Sequence, residues 1–185
     1  MPKMIVLVGA SASGKTEIAK RLGSLYGVKK AVTHTSRFPR VNEVNHVDYH
    51  FVGRDEFLKL KEENAFVETT CYNNNYYGCS KAEIGKDKVV VVDPVGLASF
   101  MALGDNGVIS FFLTCDEQIR YERMRLRGDS DSSIAQRIDN DRVDFSNPIL
   151  KKADFSIDTS HKDLDTLAKT VYRLYTEEYE KRKLG

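Results

Sequence analysis

Gly9-Ala10-Ser11-Ala12-Ser13-Gly14-Lys15-Thr16 is the stretch of sequence that decides the fold. It fits the pattern G-x-x-x-x-G-K-[ST], in which small residues let backbone N–H groups approach a phosphate chain closely. The apolar run at residues 4–8 precedes it and has the length of a buried strand. Apolar residues at helical spacing, Ile18, Leu22 and Leu25, follow it. Strand, glycine loop and helix in this order predict a phosphate-binding loop. The alternative is a Gly/Ser-rich turn before an ordinary helix.

The last residues of this loop predict its ligand. The N-terminus of the following helix adds a partial positive charge that favours phosphate. Lys15 is expected to contact the β- and γ-phosphates of ATP, and the Thr16 hydroxyl is expected to ligate Mg²⁺. We therefore predict that the whole loop from Gly9 to Thr16 binds the nucleotide.

Composition limits the class of protein. A length of 185 residues suits one domain with a small inserted subdomain. Charged residues make up 30% of the chain, but the net charge is only +1, which predicts no nucleic-acid or membrane partner. The N-terminal apolar run is too short for a signal peptide or a membrane span. Three cysteines without a CxxC pair predict reduced thiols and a cytoplasmic location.

Strand and helix patterns alternate along most of the chain, which predicts an α/β fold with a parallel sheet flanked by helices. The β-branched run at residues 88–92 is typical of a strand buried on both faces. Residues from about 45 to 85 have a more antiparallel pattern and predict an inserted mixed-β subdomain. Within it, Ser80 and Glu83 fit a capping box that opens a short helix.

An acid stands at the end of the β-branched run. Asp93 has the position of the carboxylate that faces Mg²⁺ in phosphate-loop enzymes. The alternative role is to cap the following helix, since Pro94 suits a first helical position. Position alone does not separate the two roles, and the phosphate loop favours the first.

Arginines cluster in the region after residue 116. Arg120, Arg123 and Arg127 share one face of a predicted helix, and Arg137 lies on the next helix. Such a stripe forms either a solvated, salt-bridged surface or a lid that closes over phosphates. Because a phosphoryl group in transit spreads negative charge over its oxygens, the excess of arginine favours the lid.

A second basic pair, Arg37 and Arg40, has Tyr49 and Tyr77 as candidate neighbours. Two guanidinium groups and two phenol groups would suit the phosphate of an acceptor monophosphate. From spacing alone, ordinary loop arginines and half-buried tyrosines are the simpler interpretation.

Residues 33–52 resemble the S-x-T-T-R-x-P-R-x-G-E-x-x-G-x-D-Y-x-F-V block of guanylate kinases. Residues 66–68 and 75–78 are similar to two further segments of that family, and residues 123–128 and 134–137 resemble its lid. The stretch 154–158 is similar to the family's late strand near the adenine. The resemblance covers nearly the whole chain, with the motifs in order.

This resemblance implies roles for the candidate site residues. The acceptor phosphate would be held by Arg37, Arg40, Tyr49 and Tyr77. Glu68 would accept hydrogen bonds from guanine N1–H and the 2-amino group, and Thr33 would add a hydroxyl near phosphate and base. Asp93 would lie between base and metal. The ATP side would be served by Arg127 and Arg137, which close over the phosphates, and by Asp158 near the adenine.

Several positions differ from the family pattern. Cys79 replaces the Ser or Thr whose hydroxyl bonds guanine O6, and Val91 replaces the first acid of D-x-D-x-x-G. Asn42 and His46 replace two glycines, and Asp158 replaces an Asn. These changes affect recognition of the base and leave the machinery of phosphoryl transfer intact.

We therefore expect a single guanylate kinase-like domain. Its core would comprise residues 1–33, 86–118 and 149–185, its monophosphate-binding subdomain residues 34–85, and its lid residues 119–148. The expected reaction is ATP + GMP (or dGMP) → ADP + GDP (or dGDP), with Mg²⁺, in a monomer or homodimer. Two alternatives are a kinase of another small phosphate ester, such as ribose 1,5-bisphosphate, and an inactive guanylate-kinase-like binding module.

Overall fold

A computed structural model describes residues 4–39, 41, 43–72, 74–85 and 87–184. In this part of the chain the strands are β1 (Met4–Gly9), β2 (Lys29–Lys30), β3 (His34–Thr35), β4 (His50–Phe51), β5 (Phe66–Tyr72), β6 (Asn75–Ser80), β7 (Lys88–Val92), β8 (Val108–Thr114) and β9 (Phe155–Asp158). The helices are α1 (Lys15–Tyr26), α2 (Arg54–Glu62), α3 (Pro94–Ala102), α4 (Glu117–Leu126), α5 (Asp131–Asp144) and α6 (Leu164–Leu184). Two short 3₁₀ helices span Lys81–Glu83 and Pro148–Lys152.

The larger sheet has the strand order β2-β7-β1-β8-β9, and every pairing in it is parallel. Strand β1 is buried along its whole length, as its apolar sequence predicts. Its register pairs Val8 with Val92 and Gly9 with Leu113. The loops after β1 and β7 therefore leave the sheet at the same edge. The predicted α/β class with a parallel sheet flanked by helices is confirmed.

Helices cover both faces of this sheet because successive β1 side chains point to opposite sides. Ile5 and Leu7 pack in one core cluster with residues of α1 and α6. Met4, Val6 and Val8 pack in the other, with residues of α3. The longest helix, α6, has 21 residues and ends in a charged last turn. Among the described residues, no helix combines the length and apolar character that a membrane span requires.

The second sheet is mixed, with the order β4-β3-β6-β5. Strands β5 and β6 form an antiparallel hairpin, β3 pairs antiparallel to β6, and β4 pairs parallel to β3. A register irregularity between Phe66 and Glu68 interrupts the hairpin. His46, which stands where the family has a glycine, adopts a left-handed φ of 66°. The insertion therefore keeps the backbone of that turn without the glycine.

One local prediction is wrong. The segment after Ser80 forms a single 3₁₀ turn in which Ser80 makes no side-chain cap. The Glu83 carboxylate instead accepts from the N–H of Val32 at 2.9 Å and from Lys88 Nζ at 2.8 Å. The Glu83 carboxylate therefore binds partners from elsewhere in the fold and does not form the capping box.

The contact between α1 and the sheet generates a stability prediction. Leu22 is fully buried, whereas Leu25 on the same helix is 40% exposed. Leu22→Ala should lower the free energy of unfolding by about 2–5 kcal/mol because it leaves a cavity. Leu25→Ala is the matched control and should lower it by less than about 1 kcal/mol. Urea denaturation measures both, and equal losses would contradict the core position of Leu22.

Candidate active site

Two glycines shape the loop between β1 and α1. A Cβ on Gly9 would lie 2.6 Å from the Leu113 carbonyl oxygen and 2.6 Å from Ser13 Oγ, so a larger residue would displace the loop. Gly14 has φ of 93° and is the N-cap residue of α1. Since Gly14 has no side chain, it leaves the first N–H groups of α1 to a ligand. The loop thus has the geometry of an anion-binding site.

Lys15 lies at the start of α1 and folds back over this loop. Its Nζ donates to the carbonyl oxygens of Gly9 and Ala10, the latter at 2.8 Å. Burial lowers the pKa of Lys15 to about 8; the charge of Asp141 acts in the opposite direction and that of Arg120 in the same direction. An incoming phosphate would offer this ammonium group a charged partner in place of two carbonyls.

The next three carbonyl groups of the loop also accept hydrogen bonds from side chains. Their donors come from α4 and from the segment after β9, far from the loop in sequence. The pairs are Arg120 Nη1 to Ser11 O at 3.3 Å, Arg123 Nη1 to Ala12 O at 3.2 Å, and Thr159 Oγ1 to Ser13 O at 2.8 Å. All five carbonyls from Gly9 to Ser13 are therefore satisfied by side chains.

A cleft of about 520 Å³ opens beside the loop. The residues from Ala12 to Glu17 form one wall, and Arg123, Arg127 and Thr159 contribute to the others. Asp158 does not line this cleft; its carboxylate accepts from the N–H of Ser160 at 2.9 Å and from its hydroxyl at 2.6 Å. The adenine contact of Asp158 stays a prediction, while its neighbour Thr159 is a cleft residue that the sequence did not indicate.

The arginine stripe divides into two parts. Arg120 is only 6% exposed and Arg123 is half-buried, and both contact the loop. Arg127 is exposed and pairs with Asp129, with Nη2 2.5 Å from Oδ2. The hydrogen bond from Arg127 is the main cause of the lowered pKa of Asp129, and the charge of Arg137 adds to it. Arg127 and Arg137 therefore act on the same acid.

The residues that are candidates for binding the acceptor phosphate lie close together beside the second sheet. The Arg37 guanidinium lies 5.6 Å from the centroid of the Tyr49 ring, and the rings of Tyr49 and Tyr77 are 6.2 Å apart. Arg37 Nη2 also contacts Glu43 Oε1 at 2.8 Å. The predicted fourth member, Arg40, lies outside the described residues.

A cavity of about 500 Å³ lies between α1 and the second sheet. Its walls include Thr16 from the phosphate loop and Thr33 and Tyr49 from the acceptor side. The structure therefore brings candidates from both predicted subsites to one cavity.

Glu68 is half-buried on β5. Its Oε1 accepts from the N–H of Cys79 at 3.0 Å. Burial raises the pKa of Glu68 to about 7; the Cys79 hydrogen bond lowers it, and the charge of Asp93 raises it. The Cys79 side chain itself is fully buried in the apolar cluster that contains Val6 and Val8. Cys79 thus contacts Glu68 through its backbone, and burial raises the pKa of its thiol to about 12.

Asp93 follows β7 at the same sheet edge as the loop. Its Oδ1 accepts from the N–H of Gly96 at 2.7 Å, so it does cap α3. Asp93 is exposed, as is Thr16 at the start of α1. Within the described ranges, no three His, Cys, Asp or Glu side chains converge as a metal cluster. Mg²⁺ is usually held by one or two carboxylates, waters and substrate phosphates, and these two oxygen donors fit that chemistry.

Sequence reasoning also missed Asp141. This residue of α5 is 8% exposed and accepts from the N–H of Ser11 at 3.0 Å. Nothing local marks it, because it lies 130 positions from its partner. Asp141 is one of four acids in α5, so the sequence does not distinguish it from Asp131, Asp139 and Asp144.

A parallel sheet, a glycine loop that leads into a helix, and a second small sheet beside it define a phosphate-loop nucleotide-binding protein. Residues 1–178 match the family model described as guanylate kinase. A guanylate kinase of Schizosaccharomyces pombe is 33% identical over 152 residues, which cover 77% of this chain and 75% of that protein. This chain belongs to the guanylate kinase family.

Two further comparisons, one of sequence and one of structure, also match guanylate kinases. A guanylate kinase of Rickettsia bellii is 26% identical over 187 residues, which cover 97% of this chain and 96% of that protein. The crystal structure of guanylate kinase from Anaplasma phagocytophilum superposes with a TM-score of 0.69. It is 23% identical in sequence, and the superposition covers 96% of this chain and 86% of that one. The similarity to that structure concerns the fold.

The raised pKa of Glu68 predicts a pH-dependent stability. The folded state holds the proton up to about pH 7, whereas the ordinary pKa of a glutamate is 4.5. The Glu68 contribution to stability therefore falls as pH rises from 4.5 to about 7. Glu68→Gln removes this penalty and should raise Tm by roughly 5 °C at pH 8 but little at pH 4.5. Thermal unfolding measures this, with Glu62→Gln as an exposed control. Equal gains at both pH values would contradict the ionisation of a buried Glu68.

Proposed function

We propose that this protein transfers the γ-phosphoryl group of ATP to GMP or dGMP, which gives ADP and GDP or dGDP. The observation that carries the proposal is an intact phosphate loop in a member of the guanylate kinase family. Lys15 and Thr16 follow the left-handed Gly14, so the loop retains the residues that contact phosphate and Mg²⁺. An inactive binding module would not need these residues for phosphate and Mg²⁺.

On the donor side, the loop from Gly9 to Thr16 binds the phosphate chain of ATP. Lys15 leaves the carbonyls of Gly9 and Ala10 and contacts the β- and γ-phosphates. The side chains of Arg127 and Arg137, which belong to the lid at residues 119–148, close over the same phosphates. Asp158 accepts from the adenine amino group. The cleft beside the loop supports this assignment because Arg127 is part of its wall.

On the acceptor side, the phosphate of GMP binds Arg37, Arg40, Tyr49 and Tyr77. The short distances among Arg37, Tyr49 and Tyr77 support this role. Thr33 supplies a hydroxyl between phosphate and base. These residues belong to the segment 34–85 and its border, which we assign as the monophosphate-binding subdomain. The remaining segments, 1–33, 86–118 and 149–185, form the core that carries the phosphate loop.

Guanine selection depends on Glu68. The ionised carboxylate accepts from guanine N1–H and from the 2-amino group, whereas adenine presents an acceptor at N1 and is repelled. Cys79 contributes through the N–H that holds Glu68 in place. Because the pKa of Glu68 is about 7, guanine binding competes with a proton near neutral pH. This competition follows from the burial that positions the carboxylate.

The reaction is a direct in-line displacement. An oxygen of the GMP phosphate forms a bond to the γ-phosphorus of ATP, and the bond from that phosphorus to the β–γ bridging oxygen breaks to release ADP. Thr16 and Asp93 would hold Mg²⁺, which would supply positive charge to offset the negative charge of the phosphates. Lys15, Arg127 and Arg137 stabilise the charge of the transferred group. Closure excludes water, which would otherwise accept the phosphoryl group.

The role of Lys15 is open to a direct test. Lys15→Ala should lower kcat by at least ~10²-fold because it removes one charge-stabilising donor, while GMP affinity stays nearly unchanged. Lys181→Ala is the control, since Lys181 is an exposed lysine of α6 that pairs with Glu178. Steady-state kinetics with ATP and GMP measure both variants. Normal turnover in a folded Lys15→Ala protein would refute the nucleotide-loop assignment.

Release of ADP in the presence of GMP, dGMP, AMP, CMP, UMP or ribose 1,5-bisphosphate tests the proposed function itself. We expect turnover with GMP and dGMP, and about 10- to 100-fold lower kcat/KM for GMP in Glu68→Gln. The KM for GMP of the wild type should fall about 10-fold between pH 6 and pH 8 as Glu68 ionises. Glu68→Gln should lose this pH dependence. Turnover of ribose 1,5-bisphosphate without turnover of GMP would identify a different acceptor.

A further inference from the structure

A carboxylate is buried between α5 and the phosphate loop. Asp141 accepts two hydrogen bonds from Ser11, from the N–H to Oδ2 at 3.0 Å and from the hydroxyl to Oδ1 at 3.2 Å. Its exposure of 8% is low for an acid. Ser11 lies in the first half of the loop and is not among the residues that line the cleft beside it. Asp141 is therefore placed to hold the loop without entering the nucleotide site.

Arg120 of α4 completes the arrangement. Its Nη1 lies 2.7 Å from Asp141 Oδ2 and 3.3 Å from the Ser11 carbonyl oxygen. With 6% exposure, Arg120 is as buried as its partner. The N–H and the carbonyl of Ser11 thus each contact a charged side chain, and the two side chains come from different helices. These two contacts, one with an anion and one with a cation, fix the orientation of the peptide groups around Ser11.

Apolar packing joins the same elements. Met124 of α4 and Ile134 and Ile138 of α5 form a small core, and Ala12 of the phosphate loop packs against it. The helices α4 and α5 also present the exposed Arg127 and Arg137, which we assign to the ATP phosphates. A shift of these helices relative to the loop would therefore move the arginines relative to the phosphates.

A buried ion pair is a poor source of stability, because apolar side chains of similar volume often stabilise a fold equally well. The two charges are better explained by the directional contacts that they make with Ser11. We propose that Asp141 and Arg120 are positioning residues that fix the phosphate loop to the two lid helices. They set the distance between the loop N–H groups and the lid arginines. The catalytic part of this role depends on the proposed function, whereas the effect on ATP binding does not.

At another, more exposed place in the fold, a second pair has the same kinds of hydrogen-bond partner and serves as a control. Asp154 Oδ2 accepts from the N–H of Ser110 at 2.7 Å and from its hydroxyl at 2.8 Å, and Asp154 Oδ1 accepts from Arg182. A serine N–H, a serine hydroxyl and an arginine thus surround Asp154 as they surround Asp141. Ser110 pairs with Val6 in the middle of the sheet. Val6 lies three residues before Gly9, where the loop begins.

The experiment compares Asp141→Asn, the double variant Arg120→Met/Asp141→Leu and the control Asp154→Asn. Urea denaturation reports stability, titration with a fluorescent ATP analogue reports affinity, and steady-state kinetics report kcat and the KM for GMP. Asp141→Asn should lose stability and ~10-fold or more in both ATP-analogue affinity and kcat, as expected for a displaced binding group. Asp154→Asn should lose stability alone. The KM for GMP should stay unchanged in every variant.

The double variant separates positioning from stability. It should be more stable than Asp141→Asn because it leaves no buried charge unpaired, yet its ATP-analogue affinity and kcat should stay ~10-fold or more below wild type because Ser11 has lost its partners. Wild-type affinity and kcat in the double variant would overturn the proposal. If the double variant does not fold, equal losses of affinity in Asp141→Asn and Asp154→Asn would overturn it. Absence of GMP turnover in the wild type would count against the proposed function only, since the analogue titration remains informative.

Discussion

An anion-binding loop must turn its N–H groups towards one side and keep its carbonyl oxygens away from it. The carbonyls then need donors of their own, because buried backbone oxygens without partners are costly. In this protein Lys15, Arg120, Arg123 and Thr159 supply those donors to the residues from Gly9 to Ser13. The donors come from α1, α4 and the end of the sheet. Much of the fold is thus arranged around one constraint on five peptide groups.

The same constraint explains why part of the site could be predicted and part could not. The loop and its flanking strand and helix are encoded within about 20 consecutive residues by glycine spacing and apolar periodicity. Asp141 and Arg120 contact Ser11 across 130 and 109 positions, respectively. In the sequence, neither residue differs from an acid or an arginine on the surface. Local pattern does not encode such partners, because folding brings them together only when α4 and α5 pack.

Two other positions show that a local sequence pattern does not determine tertiary contacts. The pattern Ser80-x-x-Glu83 predicted a cap, but Val32 and Lys88 from neighbouring elements claim the carboxylate. Cys79 was identified by resemblance as a base contact, whereas its thiol is buried in the apolar core and its backbone holds Glu68. In both cases the tertiary structure, and not the local pattern, sets the contacts of the residue.

The half-buried Arg37 and the exposed Arg127 each contact a carboxylate, Glu43 and Asp129 respectively. A phosphate that takes either guanidinium therefore displaces an anion that is already there, and one ion pair replaces another. The net gain in Coulomb energy is smaller than the number of arginines suggests. Added salt weakens the old pair and the new one alike, since solvent reaches both pairs. Nucleotide affinity in this protein should accordingly be buffered against changes in ionic strength.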